Sequence, residues 1–183
     1  MRNMKTLLFL IAATCILSSC SIGGSRTDML NSSSDDKNAT SRLEQVINAI
    51  NSKDREAVKV LFSETALNET DDIDEKIELL FSFVLGTINS WEKSSGPTVF
   101  ETNHYGKKTK EVSSYYYVTT DKQEYFFLLR DFPIDTDNPE NVGLYMLLVV
   151  KAEDREKIYD RDNKIIYDGD MKLSHAGVYL PIQ

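Results

Sequence analysis

The stretch VSSYYYVTTDKQEYFFLLRDF, residues 112–132, decides the fold. Two runs rich in aromatic and branched side chains, 112–119 and 124–132, flank a polar break at Asp121-Lys122. Such residues favour strands, so the break reads as the turn of an antiparallel hairpin. A turn there pairs Val118 with Tyr125 and Tyr116 with Phe127 on one face. The opposite face then pairs Tyr117 with Phe126 and Tyr115 with Leu128. A slip of one residue would exchange the two sets, because side chains alternate with a period of two. Both faces carry large apolar groups. Helices are therefore expected over one face, with the other partly covered or exposed as a binding surface.

Further strands flank this hairpin. Residues 144–151 (LYMLLVVK) form the most apolar run and are expected at the centre of the sheet. Upstream, Val99-Phe100 and His104-Tyr105 lie in a first strand, closed by a turn at Gly106-Lys107-Lys108 and preceded by punctuation at Gly96-Pro97. Residues 133–141 (PIDTDNPEN) read as an exposed loop. Near the end, Asp168-Gly169 sits between 165–167 and 171–173, the pattern of a small hairpin.

Before residue 91 the period is helical. Ser41 with Glu44 makes a capping box ahead of Leu43, Val46, Ile47 and Ile50. Asp54 is placed to cap a second helix with the face Ala57, Val58, Leu61 and Phe62. Asp72 with Glu75 opens a third, whose stripe is Ile73, Ile77, Leu80 and Val84, widened by Leu79, Phe81 and Phe83, with Gly86 as its C-cap. Helices followed by a meander of strands define an α+β domain: three N-terminal helices packed on a curved antiparallel sheet. Residues 42–183 are expected to form this single globular domain.

The first 41 residues have a different texture. Met-Arg-Asn-Met-Lys is a short basic start, and 6–17 (TLLFLIAATCIL) is an apolar run of twelve. A spanning helix needs about 20 such residues, whereas twelve suit a signal-peptide core. Leu17-Ser18-Ser19-Cys20 follows and resembles the bacterial lipobox. That resemblance implies cleavage after residue 19 and a diacylglyceryl group on Cys20. Residues 1–19 are thus expected to be removed, and 20–41 to be a lipidated cysteine on a flexible tether. Its Ser, Asn, Asp and Gly content cannot offset the entropy of ordering. Twenty-one residues of such coil would span roughly 25 Å.

Export alters the charge balance. The chain of 183 residues has 21 Lys+Arg and 29 Asp+Glu. Removal of 1–19 takes away Arg2 and Lys5 and no acid, so the net charge goes from -8 to (21 − 2) − 29 = -10. No basic field exists for a phosphate backbone, and nucleic acid is not expected as a partner. Two Cys and two His cannot build a Cys/His metal cluster, and neither metal nor cofactor is expected. With Cys20 acylated and Cys15 removed, no disulfide is available, and a core must hold the domain.

Asn51-Ser52-Lys53-Asp54 followed by Ala57, Leu61, Phe62 and Ala66 resembles the opening of nuclear-transport-factor-2-like, or cystatin-like, cone folds. The lipobox and polar tether, Asp71-Asp72-Ile73-Asp74-Glu75, Ser90-Trp91-Glu92 and Gly177-Val178-Tyr179-Leu180-Pro181 together resemble Gram-positive surface lipoproteins of the family called domain of unknown function 5104. The resemblance covers 42–183. It implies a fold and an address at the extracytoplasmic face of the membrane, and brings no catalytic residues.

Candidate chemistry is sparse. Asp71, Asp72, Asp74 and Glu75 lack the glycine of a calcium loop and read as the acid-rich start of a helix. Asp135, Asp137, Asn138 and Glu140, and separately Asp160 and Asp162, read as solvated loops. His104 and His175 are the only imidazoles, and no nucleophile motif accompanies them. In cone folds the sheet and helices enclose a pocket. Trp91, Tyr115, Tyr117, Tyr125 and Phe127 are the residues expected to line it, with Tyr115 and Tyr117 preferred over Tyr116. The expected activity is non-enzymatic binding of a small ligand or an envelope partner. The rival readings are an isomerase or dehydratase using a buried acid or His opposite a Tyr donor, and a purely structural interaction module.

Overall fold

Tyr116 stands opposite Phe127 and Val118 opposite Tyr125, with Tyr117 against Phe126 and Tyr115 against Leu128, the four pairings that a turn at Asp121-Lys122 requires. The structure, a computed structural model, describes residues 26–158 and 175–181, with side chains from 32 onward. The expected signal peptide, Cys20, the hairpin expected around Asp168-Gly169, and Asp160 and Asp162 lie outside the described residues. The chain divides into two units, Met1–Ser34 and Asp35–Gln183, and the sheet lies wholly within the second.

Helix α1 spans Arg26–Ser52. It overturns two expectations: residues 26–41 are helical rather than a leash, and Ser41 is an interior position rather than a cap. The reason lies in the stripe. Ala39, Leu43, Val46 and Ile50 are buried on one face, and Asp35 continues that face one turn earlier. Its carboxylate meets Lys110 Nζ at 2.6 Å, nearly shielded from solvent, while Asp36 pairs with Lys93 and Arg42 Nε donates to Asp131 at 3.1 Å. Partners from the sheet thus order a helix whose composition alone would not.

Helix α2, Arg55–Lys59, is capped by Asp54, which accepts from the Ala57 amide at 2.9 Å. A further helix that the periodicity did not resolve, α3, Glu64–Glu69, is capped the same way by Ser63. Helix α4, Ile73–Phe83, begins after Asp72 as expected, but Asp72 takes the left-handed conformation and its side chain makes no cap. Ile73, Ile77, Leu80 and Val84 are buried, as their spacing requires. The C-cap is Val84 rather than Gly86, which lies two residues on with φ of 84°.

The sheet has the order β1-β2-β3-β4-β5: β1 Ile88–His104, β2 Lys107–Thr120, β3 Glu124–Asp135, β4 Gly143–Lys151 and β5 Gly177–Tyr179. Its first three pairings are antiparallel, but β5 runs parallel to β4, so the sheet is mixed at one edge. The middle strand is β3, not the most apolar β4. Trp91 lies within β1, which begins at Ile88 and is far longer than expected. Gly96-Pro97 does not end it: Ser95 pairs with Tyr115 and Thr98 with Ser113, so two residues of β1 face Ser114 alone. They form a bulge, where a missing N–H is tolerated. The β1–β2 turn is Tyr105-Gly106, both at positive φ (51° and 85°), the requirement of a type I′ hairpin.

Leu43, Ile77, Leu80, Tyr116, Tyr125 and Phe127 belong to one core between helices and sheet. The other sheet face is buried too. Phe126, Leu128, Met146, Leu148 and Val150 cluster there with Ile158 from the 3-10 turn Ala152–Ile158. Tyr125 also closes α4: its hydroxyl donates to the Phe83 carbonyl at 2.9 Å and accepts from the Leu85 amide at 2.8 Å. Tyr125→Phe therefore strands two backbone groups and should cost about 1–3 kcal/mol. Leu80→Ala, leaving a cavity in the same core, should cost about 2–5 kcal/mol. Urea titration checks both, and an unchanged midpoint in either variant would refute its assigned role.

Candidate functional site

The five residues expected to line one pocket fall on two faces of the sheet. Trp91, Tyr125 and Phe127 face the helices; Tyr115 and Tyr117 face away, so the preference for that pair over Tyr116 picked the wrong face for a pocket under the helices. On the helix side the space is occupied. Tyr116, Tyr125 and Phe127 are at most 1% exposed, Trp91 packs edge-on against Tyr116 at 5.6 Å, and Phe83 packs against Tyr125 at 5.7 Å. Burial pushes the Tyr116 phenol above its ordinary value. On the far side, Arg155 donates to the Tyr117 hydroxyl at 2.6 Å and lies over the Tyr117 and Phe126 rings.

The two imidazoles sit at opposite edges of the sheet. His104 ends β1 and meets Tyr105 edge-on at 4.5 Å. His175 precedes β5 and stacks on Tyr179 at 3.7 Å with ring planes 7° apart.

That second edge carries a cleft of about 260 Å³, lined by Lys76, Leu79, His175, Val178, Tyr179 and Leu180. Its geometry follows from two elements. On α4, Lys76 and Leu79 are three residues apart and share a face beside the buried Ile77-Leu80 stripe. Leu79 is consequently 42% exposed, an aliphatic residue turned away from the core. On β5, Gly177 has φ of 74°, and a Cβ there would lie 2.5 Å from Thr70 Oγ1. Only glycine lets the chain pass so close, and this approach seats Val178 against the core and Tyr179 on the other face. Burial raises the Tyr179 phenol, so it stays protonated and keeps a donor. The lining combines a cation, a phenol and three aliphatic groups. The periodicity of α4 placed Leu79 in a widened core stripe, and its exposure is the signal that could have pointed here.

Two of the acidic candidates have clear internal partners. Asp74 accepts from Lys59 at 3.0 Å, and Asp135 is a buried organiser of its loop rather than a solvated acid. Among the described residues no group of three or more His, Cys, Asp or Glu is placed to hold a metal, and no helix is long and apolar enough to cross a membrane.

These features define an α+β domain of helices on a mixed sheet with a small edge cleft. The sequence model of the family described as domain of unknown function (DUF5104) matches residues 45–152, and the chain belongs to that family. The match spans α1 after Glu44 through β4, and so includes Lys76 and Leu79 but stops short of β5. A search of curated proteins found no match.

Asp135 yields a test of the loop. Desolvation would raise its carboxyl, but hydrogen bonds from the Asn141 side chain and the Asn138 and Asp137 amides outweigh this and hold it below the ordinary carboxylate value. A depressed folded value means stability that is present above the unfolded pKa of about 3.9 and lost as pH falls through the folded one. Asp135→Ala should therefore cost about 1–3 kcal/mol at neutral pH, with the gap to the parent protein narrowing as pH falls below the unfolded value of about 3.9. A gap independent of pH in acid titrations of stability would refute the ionised role.

Proposed function

We propose that this chain is an exported bacterial lipoprotein, anchored through lipid on Cys20 at the extracytoplasmic face of the membrane, whose folded unit binds a small molecule without turning it over. The basic start, the short apolar run and Leu17-Ser18-Ser19-Cys20 support the address. One observation carries the binding reading. The interior between helices and sheet is closed by Tyr116, Tyr125 and Phe127, whereas the cleft beside α4 and β5 stays open with a mixed apolar and polar lining. Its volume lies just below the roughly 300–1,000 Å³ of sites for drug-sized ligands, so the ligand is small. The order of helices before strands agrees with kinship to the cone folds.

A second reading draws on the hairpin tip. Phe100 is 66% exposed and Tyr105 94% exposed at the end of β1, a pairing of aromatic surface and strand edge suited to a protein partner. Amide-shift mapping of the full-length protein against a fragment collection separates the two. Shifts at Lys76, Leu79 and residues 178–180 are expected. The cleft reading fails if no fragment moves them, and a protein partner whose shifts map to 98–108 would favour the tip.

Anchoring has its own measurement. Two acyl chains on one thioether suffice for stable anchoring, where a single chain is marginal. Cys20→Ala should leave an unlipidated, uncleaved precursor. Normal processing by mass spectrometry with retention in the membrane fraction would refute the lipobox.

A further inference from the structure

Lys76 gives the cleft a sign. Of the acids on α4, Asp74 pairs with Lys59 and Glu78 with Arg55. Lys76 itself is half-buried and forms no ion pair among the described residues. It shares the cleft with the aliphatic side chains of Leu79, Val178 and Leu180. A cation beside apolar surface attracts an anion more strongly than it would in open water, because fewer waters screen the pair. The remaining wall is aromatic: the flat His175 and Tyr179 rings stack face to face, which leaves at most one face of each for a ligand, and the Tyr179 phenol is protonated. A cation at one point, an aliphatic floor and a flat aromatic side together match one shape of molecule.

We propose that the cleft selects small organic monocarboxylates with an apolar body, the carboxylate on Lys76 and the body against Leu79, Val178, Leu180 and the Tyr179 ring. This rests on the reading of the cleft as a binding site. The chain's net charge of -8 opposes anions at long range, so selectivity must come from contact with Lys76 rather than from steering. Added salt should screen that long-range repulsion first, and the affinity of an anion held this way should not collapse at moderate ionic strength.

The test uses the purified full-length protein and two bodies, phenyl and pentyl, each with three heads: phenylacetate, phenylacetamide and phenethylamine, then hexanoate, hexanamide and hexylamine. Affinities come from amide shifts at Leu79 and residues 177–180. At least one acid should bind tenfold or more tighter than its amide, and the amines weakest. Lys76→Gln should bring that acid level with its amide. Leu79→Glu, at a position 42% exposed, should exclude the acids and admit the amines. Equal binding of acid and amide, or an acid preference that survives Lys76→Gln, overturns the carboxylate assignment while leaving the binding site in place. Failure of all six compounds to move these amides overturns both.

Discussion

The facing of Tyr116 and Phe127 across β2 and β3 is the constraint on which the rest of the molecule depends. Once these two rings point towards the helices, Val118, Tyr125, Leu129, Leu147 and Val149 must share their side, and Phe126, Leu128 and Leu148 must take the other. α1 can then lie over the rings with Leu43, Val46 and Ile50, and α4 over Tyr125. A slip of one residue would place Phe126 and Leu128 under the helices in place of Tyr125 and Phe127 and send the Tyr125 hydroxyl away from the Phe83 carbonyl. Packing and polar satisfaction therefore choose the same register. The aromatic sheet is a scaffold buried on both faces, and exposed chemistry is displaced to its edges.

How much of this was legible depended on the distance between cause and effect along the chain. The β2–β3 register was readable because a short turn joins two strongly patterned runs. The cap at Asp54 and the buried stripe of α4 were readable for the same local reason. The first half of α1 was not. Its polar residues are ordered by Lys93 and Lys110, far downstream, and no window of sequence holds both partners. The Ser41-Glu44 pattern is a genuine local preference, overridden because Asp35 and Ala39 already continue the buried stripe. Gly96-Pro97 carries a real signal of irregularity, but a bulge and a strand end have the same composition. The cleft was hidden for the reason that hid α1. Lys76 and Leu79 meet Val178 and Leu180 from the far end of the chain, and only Gly177, passing against Thr70, brings them together.

The two edges of the described sheet are managed differently. β5 is three residues long, too short to template another chain, and its neighbourhood is given over to the cleft. β1 is 17 residues long and is the edge at risk. Its first backbone groups are taken by a side chain: Asn51 accepts from the Ile88 amide and donates to the Ile88 carbonyl, both at 2.9 Å, so an amide stands in for a sixth strand. Further on, the Gly96-Pro97 bulge breaks the regular spacing that a second strand would need, and Pro97 offers no donor. Lys93 is drawn to Asp36 beside the same edge. The outer stretch from Thr98 to His104 is left unguarded, and Phe100 and Tyr105 are also exposed there. A fully open edge of this length would pair with other copies of the chain. Guarding the inner half and leaving the outer half open confines any strand-to-strand contact to the tip, away from α1 and from the cleft at the opposite edge.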